Sequence, residues 1–145
     1  MRDVAGAPSL ECFFARQAGG TGIKAHSDFN NFIFTAHLGL DVPEGRCWMR
    51  VGDTKREWRN GKMLLFDTSF VHETFNEGET DRYVLLIRFW HPGVTPLERV
   101  AIQWLFDAVD DPTDKGLLAA SKAADKRLAR LSRPQSKGFG AAKRG

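Results

Sequence analysis

Apolar and polar positions alternate most cleanly over residues 32–40 (FIFTAHLGL). Phe32, Phe34, Ala36, Leu38 and Leu40 share one face, and Ile33, Thr35 and His37 share the other. A period of two is that of a β-strand. The same short, turn-bounded grain runs through most of the chain. Residues 9–16 (SLECFFAR), 47–51 (CWMRV), 55–58 (KREW), 62–67 (KMLLFD), 71–75 and 82–91 (RYVLLIRFWH) all read as strands. Between them stand Gly19, Gly20 and Gly22 (a mobile or tight-turning loop), Pro43 and Gly45, Gly52-Asp53, the hairpin dipeptide Asn60-Gly61, and Glu77-Gly78. Seven or eight short antiparallel strands with no helix among them predict an all-β sandwich, jelly roll or small barrel.

The period changes after Thr95. Thr95 reads as an N-cap, Pro96 occupies the first helical position, and Glu98 completes a capping box. Val100, Ala101, Trp104, Leu105 and Ala108 then form an apolar stripe suited to packing on a sheet. A second, weaker helical pattern contains Leu117, Leu118, Ala124, Leu128 and Leu131. Residues 133–145 (RPQSKGFGAAKRG) read as disordered. The expected organisation is a folded domain over residues 9–112, its helix starting near 95, and a weakly helical to disordered tail over 113–145.

Composition narrows the function classes. A chain of 145 residues with 42% hydrophobic and 11% aromatic residues fits one domain with a real core. No apolar run approaches the ~18 residues of a membrane-spanning helix, and residues 1–9 lack the apolar stretch of a secretory signal. Two cysteines, Cys12 and Cys47, exclude a disulfide-stapled scaffold and read as buried thiols. The net charge of +3 is uneven. Residues 113–145 hold nine Lys/Arg against Asp114 and Asp125, a net of +7, which leaves −4 on residues 1–112. The body is acidic, which argues against a nucleic-acid footprint.

Four histidines, at 26, 37, 72 and 91, carry most of the candidate chemistry. His26 and Asp28 lie two apart, so in an extended segment their side chains point the same way. His72 belongs to a later strand of the same sheet system. Two imidazoles and one carboxylate on one face of a metal are the ligand set of non-haem Fe(II) oxygenases. Arg82 opens the long strand ten residues after His72, and arginine suits a bidentate clamp on a free carboxylate. A metal with open positions beside such an arginine calls for a small acidic co-substrate, and 2-oxoglutarate fits.

Several spaced motifs strengthen this reading: HLGL at 37–40, RVG at 50–52, Trp58 with Gly61-Lys62, LLFDTSFVHE at 64–73 and FWHP at 89–92. Over roughly residues 11–97 the chain resembles the aspartyl/asparaginyl β-hydroxylase family, Fe(II)- and 2-oxoglutarate-dependent dioxygenases on a double-stranded β-helix. The resemblance implies that His26 and His72 bind iron, that Arg82 pairs with the distal carboxylate of 2-oxoglutarate, and that His37 also touches the co-substrate. Asn31 is expected to shape the loop after the first ligand. Two departures stand out. Asp28 replaces a glycine of the best-known animal members and completes a three-ligand set. Thr35 replaces an arginine that contacts the co-substrate there, and Arg88, on the strand face of Arg82, is expected to compensate.

Three protein ligands leave three positions on an octahedral iron, two for the 2-oxo acid and one for O2. The implied reaction hydroxylates an unactivated C–H bond, with the β-carbon of Asp or Asn in a peptide or protein as the implied target; some bacterial relatives act on lipids instead. Two other readings stay open at this stage. A cupin-like metalloprotein working without 2-oxoglutarate has no use for Arg82, and a non-catalytic binding module on the same fold has no use for the metal. His91 reads as structural, Asp67 and Ser69 as turn formers, and Trp48, Trp58, Trp90 and Trp104 as packing.

Overall fold

The computed structural model describes residues 9–132. The chain divides after Gly93 into two compact units. The first holds eight strands: β1 (Ser9–Gln17), β2 (Gly22–His26), β3 (Ile33–Asp41), β4 (Cys47–Val51), β5 (Thr54–Glu57), β6 (Met63–Asp67), β7 (His72–Asn76) and β8 (Arg82–Trp90). They form two four-stranded sheets, ordered β1-β8-β3-β6 and β2-β7-β4-β5, with every pairing antiparallel. The chain passes back and forth between the sheets, and only β4 and β5 follow one another within the same one. That winding is the double-stranded β-helix, or jelly roll, and the two sheets stay separate without closing into one barrel.

The core between the sheets is small. Val42, Cys47, Met49, Trp58 and Val84 are buried, with Ala15, Val51, Leu64 and Phe66 packed against them. Along β3 the alternation resolves in an instructive way: Ile33, Thr35, His37 and Gly39 are all buried, whereas Phe34 and Leu38 are only partly covered. The face carrying threonine and histidine is thus wholly enclosed. A close approach explains the glycine in that row. A Cβ at Gly39 would overlap the Arg59 carbonyl, and the Gly39 N–H and carbonyl are bonded to Lys62 and Gly61.

Several local expectations change in the folded chain. Asn60-Gly61 does make a turn, with Gly61 at φ +69°, but it links strands of different sheets and makes no hairpin. The Asn60 side chain explains this, because its Oδ1 accepts the Val42 N–H at 2.8 Å and its Nδ2 donates to the Val42 carbonyl. Gly52, at φ +53°, does open the two-residue hairpin turn between β4 and β5. The glycine-rich segment is a tight turn in which the Gly20 N–H donates to Asn76, and it feeds β2, an exposed strand that the hydrophobic pattern does not announce. Cys47 is buried as expected; Cys12, on edge strand β1, is exposed.

The second unit holds α1 (Pro96–Asp110) and α2 (Asp114–Leu131). Thr95 caps α1 through a complete capping box with Glu98, as its sequence specifies. Thr113 caps α2 by accepting from the Gly116 N–H. The helices meet through Trp104 Nε1, which donates to Ser121, and through Asp107, which accepts from Arg127 at 2.9 Å. The tail expected to be disordered, residues 133–145, lies outside the described residues. Among the described residues no helix is long and apolar enough to cross a membrane.

Candidate active site

The ladder between β2 and β7 places His26 directly opposite His72. A register shift between Ile23 and His26 sets that pairing, a bulge of the kind that re-aims side chains at functional sites. The two rings lie with centroids 4.3 Å apart. Each imidazole is anchored in the same way: Nδ1 of His26 lies 2.8 Å from the Lys24 carbonyl, and Nδ1 of His72 lies 2.9 Å from the Phe70 carbonyl. A carbonyl only accepts, so both rings carry the proton on Nδ1 and offer the Nε2 lone pair.

Asp28 completes the cluster. Its backbone N–H donates to the Thr68 carbonyl at 3.0 Å, and the neighbouring Ser27 hydroxyl donates to the Ser69 carbonyl at 2.9 Å. Asp67 holds the facing turn by accepting the Ser69 N–H. These bonds tie the β2–β3 loop to the β6–β7 turn. Asp28 Oδ1 lies 3.7 Å from His26 Nε2, and one ligand atom from each of His26, Asp28 and His72 falls within 4.8 Å of the others. Asn30 bonds this loop, through its Nδ2 to the Asp28 carbonyl, whereas Asn31 is exposed.

A row of ring contacts runs inward from the cluster. Phe66 touches His72 and meets His37 edge-on, and His37 stacks on Trp58 at 5.8 Å. The Arg82 guanidinium then lies 4.1 Å over the other end of the row, on the Trp58 ring. Arg82 is only 3% exposed, and among the described residues neither its Nε nor its Nη1 has a hydrogen-bond partner. Burial lowers its pKa to about 10, so it stays charged at neutral pH. Burial also lowers His37 to about 3, helped by the positive charges of Arg82 and Arg88, so this ring is neutral. Thr35 Oγ1, His37 Nδ1 and Trp58 Nε1 are likewise buried without partners. Unpaired buried polar atoms are rare, and here several lie in one row of contacts.

Three features of the site were not legible beforehand. Trp58, which reads as packing, is wholly buried between His37 and Arg82. Arg88, expected on the co-substrate, directs Nη2 to Asp28 Oδ2 at 3.2 Å and Nη1 to Glu11 Oε2 at 3.4 Å. Phe29 is 94% exposed at φ +54°, a left-handed conformation uncommon for a bulky residue, and Phe70 and Val71 are exposed in the facing turn. The two loops that carry Asp28 and precede His72 thus expose apolar side chains. His91, by contrast, packs on Phe34 and accepts the Gly93 N–H outside the row of ring contacts.

Aspartate beta-hydroxylase domain-containing protein 2 of Rattus norvegicus is 40% identical over 90 residues, which cover 60% of this chain and 26% of that protein. Aspartyl/asparaginyl beta-hydroxylase of Homo sapiens is 35% identical over 80 residues, 55% of this chain and 11% of that protein. The chain thus spans about a quarter or less of these relatives. Among solved structures, a predicted oxalate decarboxylase of Thermotoga maritima superposes with a TM-score of 0.48 at 16% identity, covering 57% of this chain and 68% of that one. The cupin domain of Schizosaccharomyces pombe Cnp3 also gives 0.48, at 9% identity over 59% and 64%. Likenesses of that size bear on neither substrate nor chemistry. The sequence model described as aspartyl/asparaginyl beta-hydroxylase matches residues 2–92, and the chain belongs to that family.

Proposed function

We propose that the chain is an Fe(II)- and 2-oxoglutarate-dependent dioxygenase that hydroxylates an unactivated C–H bond, with the β-carbon of Asp or Asn in a peptide or protein as its target. The observation that carries the reading is Arg82. A guanidinium buried to this degree without an acidic partner is costly unless a ligand supplies one. A cupin-like metal centre without an acidic co-substrate gives that arginine no task.

The donor set fits a ferrous ion. His26 and His72 would hold it through Nε2 and Asp28 through Oδ1, a two-histidine, one-carboxylate set with open positions. A ferrous ion so held, chelated by the 2-oxo acid, supplies the oxidising chemistry: 2-oxoglutarate and O2 become succinate, CO2 and the oxygen atom of the new hydroxyl. Everything else falls to the protein. Arg82 would bind the distal carboxylate through its free Nε and Nη1. Thr35 Oγ1 and the neutral His37 ring add hydrogen-bond partners, and Trp58 holds the guanidinium from one side. Phe66 and the buried core beside it keep water from this end of the cavity. Phe29, Phe70 and Val71 offer the target segment an apolar seat beside the metal ligands.

Two linked measurements test the reading. Protein supplied with Fe(II), ascorbate and 2-oxoglutarate should release succinate, and both His72→Ala and Arg82→Met should stop it. A peptide screen by mass spectrometry should then find Asp- or Asn-containing peptides that gain one oxygen. Folded protein that neither turns over nor binds 2-oxoglutarate contradicts the proposal.

A further inference from the structure

Resting on the reading of His26, Asp28 and His72 as a metal site, we infer that Arg88 is a positioning residue of that site. Its guanidinium fixes the Asp28 carboxylate so that Oδ1 faces the imidazoles. Both of its amino groups are committed, Nη2 to Asp28 Oδ2 and Nη1 to Glu11 Oε2, and only its buried Nε is without a partner among the described residues. The fold dictates this geometry. On β8, Arg88 is flanked in register by Glu11 of β1 on one side and by Thr35 of β3 on the other. Glu11 supplies a carboxylate directly across the ladder, whereas the short Thr35 leaves room on its side. The guanidinium therefore bridges Glu11 to Asp28, which the β2–β3 loop brings to the same place.

A carboxylate can turn about its terminal torsion and offer either oxygen, or both. With Oδ2 bonded to a charged donor, only Oδ1 remains, and it already lies beside His26 Nε2. Outer partners of this kind orient metal ligands, and their loss commonly weakens metal binding about 10–100-fold. Charge alone predicts the opposite: removing a cation next to a metal site should tighten binding of another cation. The sign of the effect therefore separates positioning from simple electrostatics.

The experiment is a titration of the full chain with Mn(II), followed by electron paramagnetic resonance, together with the melting temperature of each metal-free variant. Arg88→Met should weaken Mn(II) binding about tenfold, and Arg88→Lys should recover part of the loss. In an Asp28→Ala background the same Arg88→Met change should cause no weakening, which a general structural defect would not spare. At saturating Mn(II), 2-oxoglutarate affinity should be unchanged by Arg88→Met and strongly reduced by Arg82→Met. Unchanged or tighter Mn(II) binding in Arg88→Met, or a loss of 2-oxoglutarate affinity in that variant, overturns the inference. If His72→Ala also leaves Mn(II) binding intact, the metal site itself is wrong, a failure distinct from that of Arg88 alone.

Discussion

His37 and Arg82 stand on either side of Trp58, and each bears on stability in its own way. His37 ionises near 6.5 in an unfolded chain, but burial first and the neighbouring positive charges second hold it near 3 in the fold. Between those values the unfolded state takes up a proton that the folded state refuses, so stability falls as pH falls through this window. The contribution at pH 5 is about 2 kcal/mol. Urea melts at pH 7.5 and pH 5 should therefore show a smaller loss of stability for His37→Asn than for the parent; equal losses would mean that the ring is not buried as described. Arg82 is charged, enclosed and short of partners. Arg82→Met should raise the melting temperature of the ligand-free protein, a gain of about 1–2 kcal/mol, while abolishing succinate release. A destabilised variant would show that Arg82 serves the fold and not a ligand.

Elements whose instructions are local were readable, and those that depend on distant partners were not. The period of two announced β3, a turn-bounded run of β-branched and aromatic residues announced β8, and Thr95, Pro96 and Glu98 announced the start of α1. Replacing Thr95 by Ala should cost about 1 kcal/mol in a urea melt. Of the His26, Asp28 and His72 grouping, the nearness of His26 and Asp28 was readable from their spacing of two, whereas the pairing of His26 with His72 depends on the β2–β7 register. Strand β2 was hidden because all five of its residues are exposed, so no hydrophobic pattern marks it. Asn60-Gly61 misled because its asparagine bonds Val42, eighteen residues away. The contacts of Arg88 were beyond reach because they follow from register across three strands and from the placing of a loop, and those of Trp58 because they depend on distant residues. Gly39 shows how tight that register is. Gly39→Ala should lower the melting temperature well beyond what loss of glycine flexibility could offset, because its Cβ has nowhere to go beside Arg59.

At the scale of the molecule, the β-helix winding makes the site. It brings Glu11, Asp28, His72 and Arg88 together from four separate stretches of chain in both sheets. No short segment can hold the ion alone, so metal binding should be coupled to folding. A divalent ion at a hundred times its dissociation constant should stabilise the protein by about 2.7 kcal/mol. His72→Ala should remove that gain. Among the described residues, those grouped at the candidate site all belong to the first unit.

The central claim is that one ferrous ion and one 2-oxoglutarate share the space between His26, Asp28, His72 and Arg82. Anaerobic addition of 2-oxoglutarate to the Fe(II)-loaded protein, followed in the visible spectrum, tests it most directly. A saturable charge-transfer band should grow in the parent, vanish in His72→Ala, and require far more 2-oxoglutarate in Arg82→Met. No band from folded, iron-loaded protein, or the same titration curve with and without Arg82, would contradict the account.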